Sequence, residues 1–450
     1  MKAEPPVMLD EQERGHSYPP VIESRSSPFD WSISELGEFA EFKNGINFTK
    51  TEKGAHGVPT LDVRNMYGRG VTVDCTNLYR VSKRIGDDHL LRPGDLLFVR
   101  SSLKQEGIGW TSLFIDGAEP TSFCGFIIRA RIRSGIPIDP LFLVYFCRSS
   151  DARNRLIAGS GKVAITNISQ DVLARLPIPV PPLPEQKKIA AVLSVVQQAV
   201  EQQERLITLT AELKKALLRR LFTRGLNNEP QKLSDIGLVP ESWELVKLSD
   251  VCTFQSGGTP SKQRADYWEG TIPWVSPKDM KRPRLTDVTD HISQEALEEG
   301  SKLAPTGSVF VVVRGMILAK DIPVALAEVP MAFNQDMKAI IPGPRLHPDF
   351  LLYAMSAFKK RLFEKIGRSA HGTMTLMSSE ITSFQIPMPD KETQRQIANI
   401  LAMLEKKQAL HQRKHATLTA LFRSLLHHLM TAEIRVHDLD LSKMESAVAA

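Results

Sequence analysis

The chain has 450 residues, 42% hydrophobic and 24% charged, with 57 Lys and Arg against 51 Asp and Glu, a net charge of +6. These values exclude a wholly disordered chain and a single ordinary domain, and they suit, without requiring, an anionic partner such as a nucleic acid. No run reaches the roughly 18 apolar residues of a membrane span. The four cysteines, Cys75, Cys124, Cys147 and Cys252, show no CxxC spacing, which argues against a disulfide framework or a zinc site and leaves inert thiols.

Residues 1–30 mix prolines with charges, as in Glu11-Gln12-Glu13-Arg14, and lack the apolar run of a secretory signal, so they read as a flexible tail on a cytoplasmic protein. Over 31–177, apolar runs such as Leu96 to Val99 alternate with Gly, Pro and Asp, the pattern of strands and loops in an α+β or mostly β domain. Leu141 to Cys147 reads as a strand or a short piece of helix. Region 178–230 opens on prolines and then runs from Glu185 to Arg224 without Gly or Pro, a long helix. Ile189, Leu193, Val196, Val200, Gln203 and Ile207 step by four and three, and the register continues through Thr210 and Lys214 to Leu217 and Leu221.

Region 231–385 repeats the strand-and-loop pattern, with Val309 to Val313 as a strand-sized run. In 386–436 a second long helix extends from Lys391 to about Val436, and Ile397, Leu401, Leu404, Gln408, His411, His415, Leu418, Phe422, Leu425 and Leu429 take the same spacing. Residues 437–450 form a C-terminal tail. Such spacing makes a coiled-coil seam, and the polar residues near its middle, Gln203, Gln408, His411 and His415, fix register at a cost in stability. About 40 residues give a rod of about 60 Å, enough to separate two domains. Packing of the helices onto the globular domains is the competing arrangement.

The two halves are copies. Ile178-Pro179-Val180-Pro181 recurs 208 residues later as Ile386-Pro387-Met388-Pro389. The same offset relates Gln186, Ile189, Ala190 and Leu193 to Gln394, Ile397, Ala398 and Leu401, and pairs Pro140 with Pro348, Tyr145 with Tyr353 and Gly159 with Gly367. Upstream it drifts to 212 for Trp31, Leu36, Phe42 and Gly45 against Trp243, Leu248, Phe254 and Gly257, and to 214 for Pro59, Met66 and Arg100 against Pro273, Met280 and Arg314, as loops of unequal length require. A unit of about 200 residues is far too long for a solenoid repeat.

Several motifs imitate catalytic sites. Gly159-Ser160-Gly161-Lys162 lacks the Gly and the Ser or Thr of a phosphate loop, having Leu156 and Val163 there. Asp139-Pro140-Leu141-Phe142 resembles the tetrapeptide of DNA amino-methyltransferases without its second proline, and the matching His347-Pro348-Asp349-Phe350 suggests a helix start. Pro389-Asp390 with Glu405-Lys406-Lys407 imitates a nuclease metal site, but Asp390 serves better as a helix cap. His427 and His428 are neighbours on a helix, where adjacent side chains diverge. No catalytic or metal-ligating constellation emerges.

Two divergent domains, each followed by an IPxP step and a QxxIAxxL helix, resemble the specificity subunit of type I restriction-modification enzymes. The clearest match is Pro181-Pro182-Leu183-Pro184-Glu185-Gln186; the second copy departs from it at Thr393, where the first has Glu185. The resemblance implies an α+β fold of two target recognition domains in tandem duplication, separated by two long helices forming an antiparallel coiled coil. It also implies that each domain reads half of a split site in double-stranded DNA, while the helices space the domains and dock methyltransferase subunits, two of them. Restriction and translocase subunits are further partners, and no membrane is involved. S-adenosylmethionine, ATP and Mg are expected on the partners, with no cofactor and no catalysis in this chain.

Arginine can read guanine bidentately, asparagine can read adenine, and lysine more often holds phosphate. The candidates in the first copy are Arg64, Asn65, Arg69, Arg100, Ser101, Ser102, Lys104 and Lys162. Those in the second are Lys278, Lys281, Arg282, Arg284, Arg314, Lys320, Arg368 and His371. Two other readings stay open: a coiled-coil scaffold whose domains do not touch DNA, and an enzyme with an unrecognised site.

Overall fold

The computed structural model describes residues 31–68, 70–160, 166–369 and 372–436. The two tails therefore lie outside the described residues. The described residues compact into two units, the first made of those up to Arg205 and from Gln412, the second of those in Leu206–His411. The division cuts through both long helices, Leu183–Arg224 and Lys391–Met430, so each unit holds one domain and a part of each helix.

In unit 1 an antiparallel sheet runs in the order Ala40–Asn44, Ile127–Ile132, Leu96–Val99, Thr111–Leu113. The unbroken apolar run in its third strand has a physical reason, since both faces are covered. Leu96 and Phe98 enter the core formed with the helix Pro140–Arg148, whereas Leu97 and Val99 enter a second core with Leu61, Phe114 and Phe123. The run from Leu141 to Cys147 is thus helix; Asp139 caps it by accepting from Phe142 N at 2.8 Å, with Pro140 in the first turn.

Unit 2 has a five-stranded sheet in the order Cys252–Ser256, Met337–Pro342, Val309–Val312, Val324–Ala327, Arg284–Leu285. A sheet of four short strands lies beside the small core of Tyr267, Trp274 and Ile292. The helix Pro348–Phe363 starts on His347-Pro348 and buries Phe350, Leu351, Leu352 and Tyr353.

The IPxP steps are strands that tie the ends of each domain together. Pro177–Val180 pairs antiparallel with Ser32–Glu35, and Gln385–Met388 with Glu244–Lys247.

Within unit 1 the helices run antiparallel, since Glu204 meets His415 at 3.1 Å while Glu185 meets Arg435 at 2.8 Å. In unit 2 Lys214 meets Glu405 at 2.6 Å. The seam residues are on the inner face. Ile189, Leu193, Val196, Val200, Leu221, Ile397, Leu401, Leu425 and Leu429 are buried, and Ile207, Leu217, Leu404, Leu418 and Phe422 are half-buried. Near the helix ends these residues also face the domains, so both arrangements weighed from the sequence coexist. Ile189, Leu193 and Leu429 share a core with Tyr145 and Ile178, and Leu221, Ile397 and Leu401 share one with Phe350 and Tyr353.

Gly225 ends the first helix at φ +65°, donating to Leu221 O at 3.0 Å, the left-handed stop that glycine permits. The second helix ends at Met430 instead of near Val436. Ala432 takes φ +58°, and the turn folds Ala432 and Val436 into the core of unit 1, a burial that continued helix would forgo.

Cys124, Cys147 and Cys252 are buried, and burial pushes each thiol up to about 12. They are inert toward exchange and metal binding at neutral pH.

Candidate nucleic-acid interface

Arg100 ends the strand Leu96–Val99. Its N–H donates to Phe126 O at 2.8 Å, its guanidinium to Gly125 O at 3.2 Å, and its carbonyl accepts from Ile168 N at 2.9 Å. Ser101–Ser102 then pairs with Thr166–Asn167, and the Ser101 hydroxyl hydrogen-bonds the Asn167 side chain. Lys104 is exposed one residue beyond Leu103. The loop rests on Arg153, which donates to Ile108 O and Glu106 O, and Arg148 and Arg153 lie over the Trp110 ring at 4.4 and 5.8 Å.

Arg148, absent from the sequence candidates, is buried and pushed down to about 10 by that burial. It donates to Thr111 O, Gly70 O and the Ser112 hydroxyl at 2.7, 2.7 and 3.0 Å, bracing the surface from beneath.

Unit 2 repeats the layout. Arg314 follows the strand Val309–Val312 and bridges to Thr375, while Gly367–Arg368 pairs with Met374–Thr375. Arg314, Lys320 and Arg368 are exposed. Lys281 and Arg282 are exposed beyond the turn Pro277–Asp279, and Lys278 reaches Asp290 at 2.7 Å, a hydrogen bond that holds its pKa above the usual lysine value. In the first copy Arg64 is exposed, with one long bond to Asn77 O at 3.4 Å. Arg69, Lys162 and His371 lie outside the described residues.

Two candidates are corrected. Asn65 is buried, accepts from Asp62 N at 2.9 Å and donates to Asp74 O at 3.0 Å, so both ends of its amide are spent inside a capping box. Arg284 binds Glu405 at 2.9 Å, Glu328 at 3.2 Å, Tyr353 Oη at 3.1 Å and Asp349. Burial acts against its charge, but these partners outweigh it and raise its pKa, leaving a clamp instead of a free cation. His427 and His428 do not diverge as expected: their rings meet edge to face at 5.3 Å, both beside Glu433. Among the described residues no cluster of metal-ligating side chains occurs.

Glu405, set aside as part of a nuclease imitation, is the acid at the centre of that clamp. Burial pushes its carboxyl up, while Lys214, Arg284 and Tyr353 pull it further down, so it sits below the usual range. Asp390 caps the second long helix, accepting from Glu392 N at 2.9 Å and Thr393 N at 3.0 Å.

The repeated glutamines lock each helix start to its domain. Buried Gln186 accepts from Asp139 N at 2.8 Å and donates to Pro137 O and Pro181 O at 3.2 and 2.8 Å. Gln394 accepts from His347 N at 2.8 Å and donates to Arg345 O and Pro389 O at 3.1 and 2.9 Å.

Two copies of one domain, each ending a central strand on an arginine and each locked by a glutamine to a long helix, define a duplicated α+β protein with a two-helix antiparallel coiled coil. The chain belongs to the type I restriction modification DNA specificity domain family, whose model matches residues 28–211 and 240–420. It is 33% identical over 239 residues to the specificity subunit of the EcoR124I/EcoR124II type I restriction enzyme of Escherichia coli, covering 53% of this chain and 56% of that one. It is 30% identical over 181 residues to the MjaIX specificity subunit of Methanocaldococcus jannaschii, covering 39% and 40%. The chain thus spans about half the length of these curated relatives. A solved S subunit of a type I restriction-modification system from M. genitalium has the same fold, with a TM-score of 0.57, 16% identity and coverage of 90% of this chain and 98% of that one.

Proposed function

We propose that this chain is the DNA-recognition subunit of a type I restriction-modification complex, each unit reading one half of a bipartite target. The observation that carries the reading is the family match in both copies, together with Arg100 and Arg314 at the same framework position. Arg64, Arg100, Ser101, Ser102 and Lys104 face one half-site, and Lys278, Lys281, Arg282, Arg314, Lys320 and Arg368 face the other. Arginines at strand ends suit base edges, and the lysines suit phosphates.

The helices space the half-sites and dock two methyltransferase subunits. Leu209 and Leu213 on the first helix, and Met403 and Leu410 on the second, are exposed away from the seam within unit 2, as an apolar docking face requires. S-adenosylmethionine, ATP and Mg act on the partner subunits, restriction subunits among them, in the cytoplasm, and this chain catalyses nothing. Among the described residues no helix is long and apolar enough to cross a membrane.

The test is co-expression with a type I methyltransferase subunit from the same source, mass measurement of the complex, and mapping of the adenines it methylates. The expected result is a complex with two methyltransferase copies that methylates a split sequence. Replacing residues 31–177 with those of a related protein then alters one half of the site and preserves the other. Change in both halves, or salt-independent DNA binding, overturns the reading.

A further inference from the structure

Large apolar side chains stand in solvent beside both arginines. In unit 1 the ladder pairs Val99 with Ile127, and just beyond it Arg100 N donates to Phe126 O at 2.8 Å, which brings Arg100 and the turn residue Phe126 together at the strand end. Phe126 is 59% exposed, and Leu103, three residues after the arginine, is 88% exposed. The loop that carries Leu103 is held. Gly107 N donates to Lys104 O at 3.0 Å, Arg153 donates to Glu106 O at 2.5 Å, and a Cβ on Gly107 would meet the Ser102 hydroxyl at 2.4 Å.

Unit 2 builds the same feature from other residues. Arg314 is followed by Gly315, which donates to Met374 O at 3.0 Å in a left-handed conformation at φ +133°. Met316, next in the chain, is 64% exposed. Leu376 N donates to Val313 O at 2.8 Å, which brings Met377, 67% exposed, to the same strand end.

Single exposed apolar residues need no explanation. Here they recur beside the same framework arginine in two copies whose loops have diverged in length and sequence. Their identities differ, so the shared property is apolar bulk with no hydrogen-bonding group, flanked by cations: Arg100 and Lys104 in one unit, Arg314 and Lys320 in the other. Leu, Phe and Met are residue types able to part a base step, while flanking cations hold the phosphates on either side.

We infer that Leu103 and Phe126 in unit 1, and Met316 and Met377 in unit 2, are wedges that enter the base stack of the bound duplex, one step in each half-site. The inference rests on the recognition reading above. It makes specificity depend partly on how easily a step unstacks, in addition to the hydrogen bonds its edges offer.

The test uses this chain assembled with its methyltransferase and a duplex carrying the sequence that the assembly methylates. 2-Aminopurine is placed in turn at each half-site position except the methylated adenine. The wedge predicts a severalfold fluorescence rise at one step in each half. Leu103→Ser with Phe126→Ser should remove the rise in one half only, and Met316→Ser with Met377→Ser in the other only, each pair weakening binding about tenfold, while Leu103→Met retains both signals. These side chains are exposed, so the variants keep the fold. A rise nowhere, or a rise that survives the serine variants, overturns the wedge alone. An assembly that binds this duplex no better than an unrelated one overturns the recognition reading and the wedge with it.

Discussion

Tyr145 in unit 1 and Tyr353 in unit 2 occupy the same place in the repeat, yet each is seated on its helices by different chemistry. The Tyr145 hydroxyl shares a hydrogen bond with Ser194 at 3.1 Å, and its ring lies 6.1 Å from Phe422. Tyr353 donates to Glu405 at 2.9 Å and accepts from Arg284 at 3.1 Å, with Lys214, the repeat equivalent of Phe422, 6.0 Å over its ring. Where the second copy has Arg284, the first has Gly70 at φ +60°, where a Cβ would meet the end of the Glu201 side chain at 2.5 Å.

At the far end the assignment reverses. Unit 1 uses an ionic cluster, Arg435 donating to Glu185 at 2.8 and 3.0 Å beside Trp31, and unit 2 uses rings, with Phe222 5.1 Å from Phe350 and 6.1 Å from Trp243. A duplicated framework therefore conserves where a domain grips a helix while leaving the kind of grip free.

The sharpest way to break this symmetry is Phe222→Ala, which should cost unit 2 about 3–5 kcal/mol as a large buried ring is lost. Met430→Ala, at the equivalent position, should cost unit 1 less, about 2–3 kcal/mol. Hydrogen exchange resolved by unit checks both, and equal losses would contradict the difference in packing.

Glu405→Gln comes next, leaving half-buried Lys214 without its anion and Arg284 with Asp349 and Glu328 alone. A loss of about 2–4 kcal/mol is expected, confined to unit 2. The same carboxylate gives a pH signature. Its folded pKa lies below the ordinary glutamate value, so its contribution is fully present above that value and fades as pH falls through the folded pKa. Acid should loosen unit 2 through this group, and Glu405→Gln should remove that part of the transition.

Gln186→Ala and Gln394→Ala test the conserved part of the comparison. Each leaves a buried backbone donor and two acceptors unmet, for about 2 kcal/mol, and the losses should match between units. The smallest effect is expected from Arg435→Ala, about 1 kcal/mol in unit 1, because Glu185 still accepts from Trp31 Nε1 at 3.2 Å once its cation is gone.

The offset of 208 is legible because a helix start, its glutamine and its seam tolerate no insertion. The seam itself shows in steps of four and three. What the glutamine does is hidden, since its partners are backbone groups as far as 49 residues away that carry no sequence mark. Charge alone likewise cannot separate Arg284 from Arg314. The first is neutralised by Asp349 and Glu405, 65 and 121 residues further on, whereas the second ends a strand in solvent. Asn65 misleads for the same reason, because its partners at Asp62 and Asp74 turn an adenine-reading side chain into a brace for its own loop.

The exchange of helix ends between units has a consequence for synthesis on the ribosome. Unit 2 is contiguous, Leu206 to His411, and can close as soon as that stretch has emerged. Unit 1 is made first and finished last, because Leu425, Leu429, Met430 and Val436 belong to its core. The first domain therefore waits, with part of its apolar interior uncovered, until the helix Lys391–Met430 has been translated. A message truncated between residues 412 and 425 would leave the older domain, and not the younger one, incomplete.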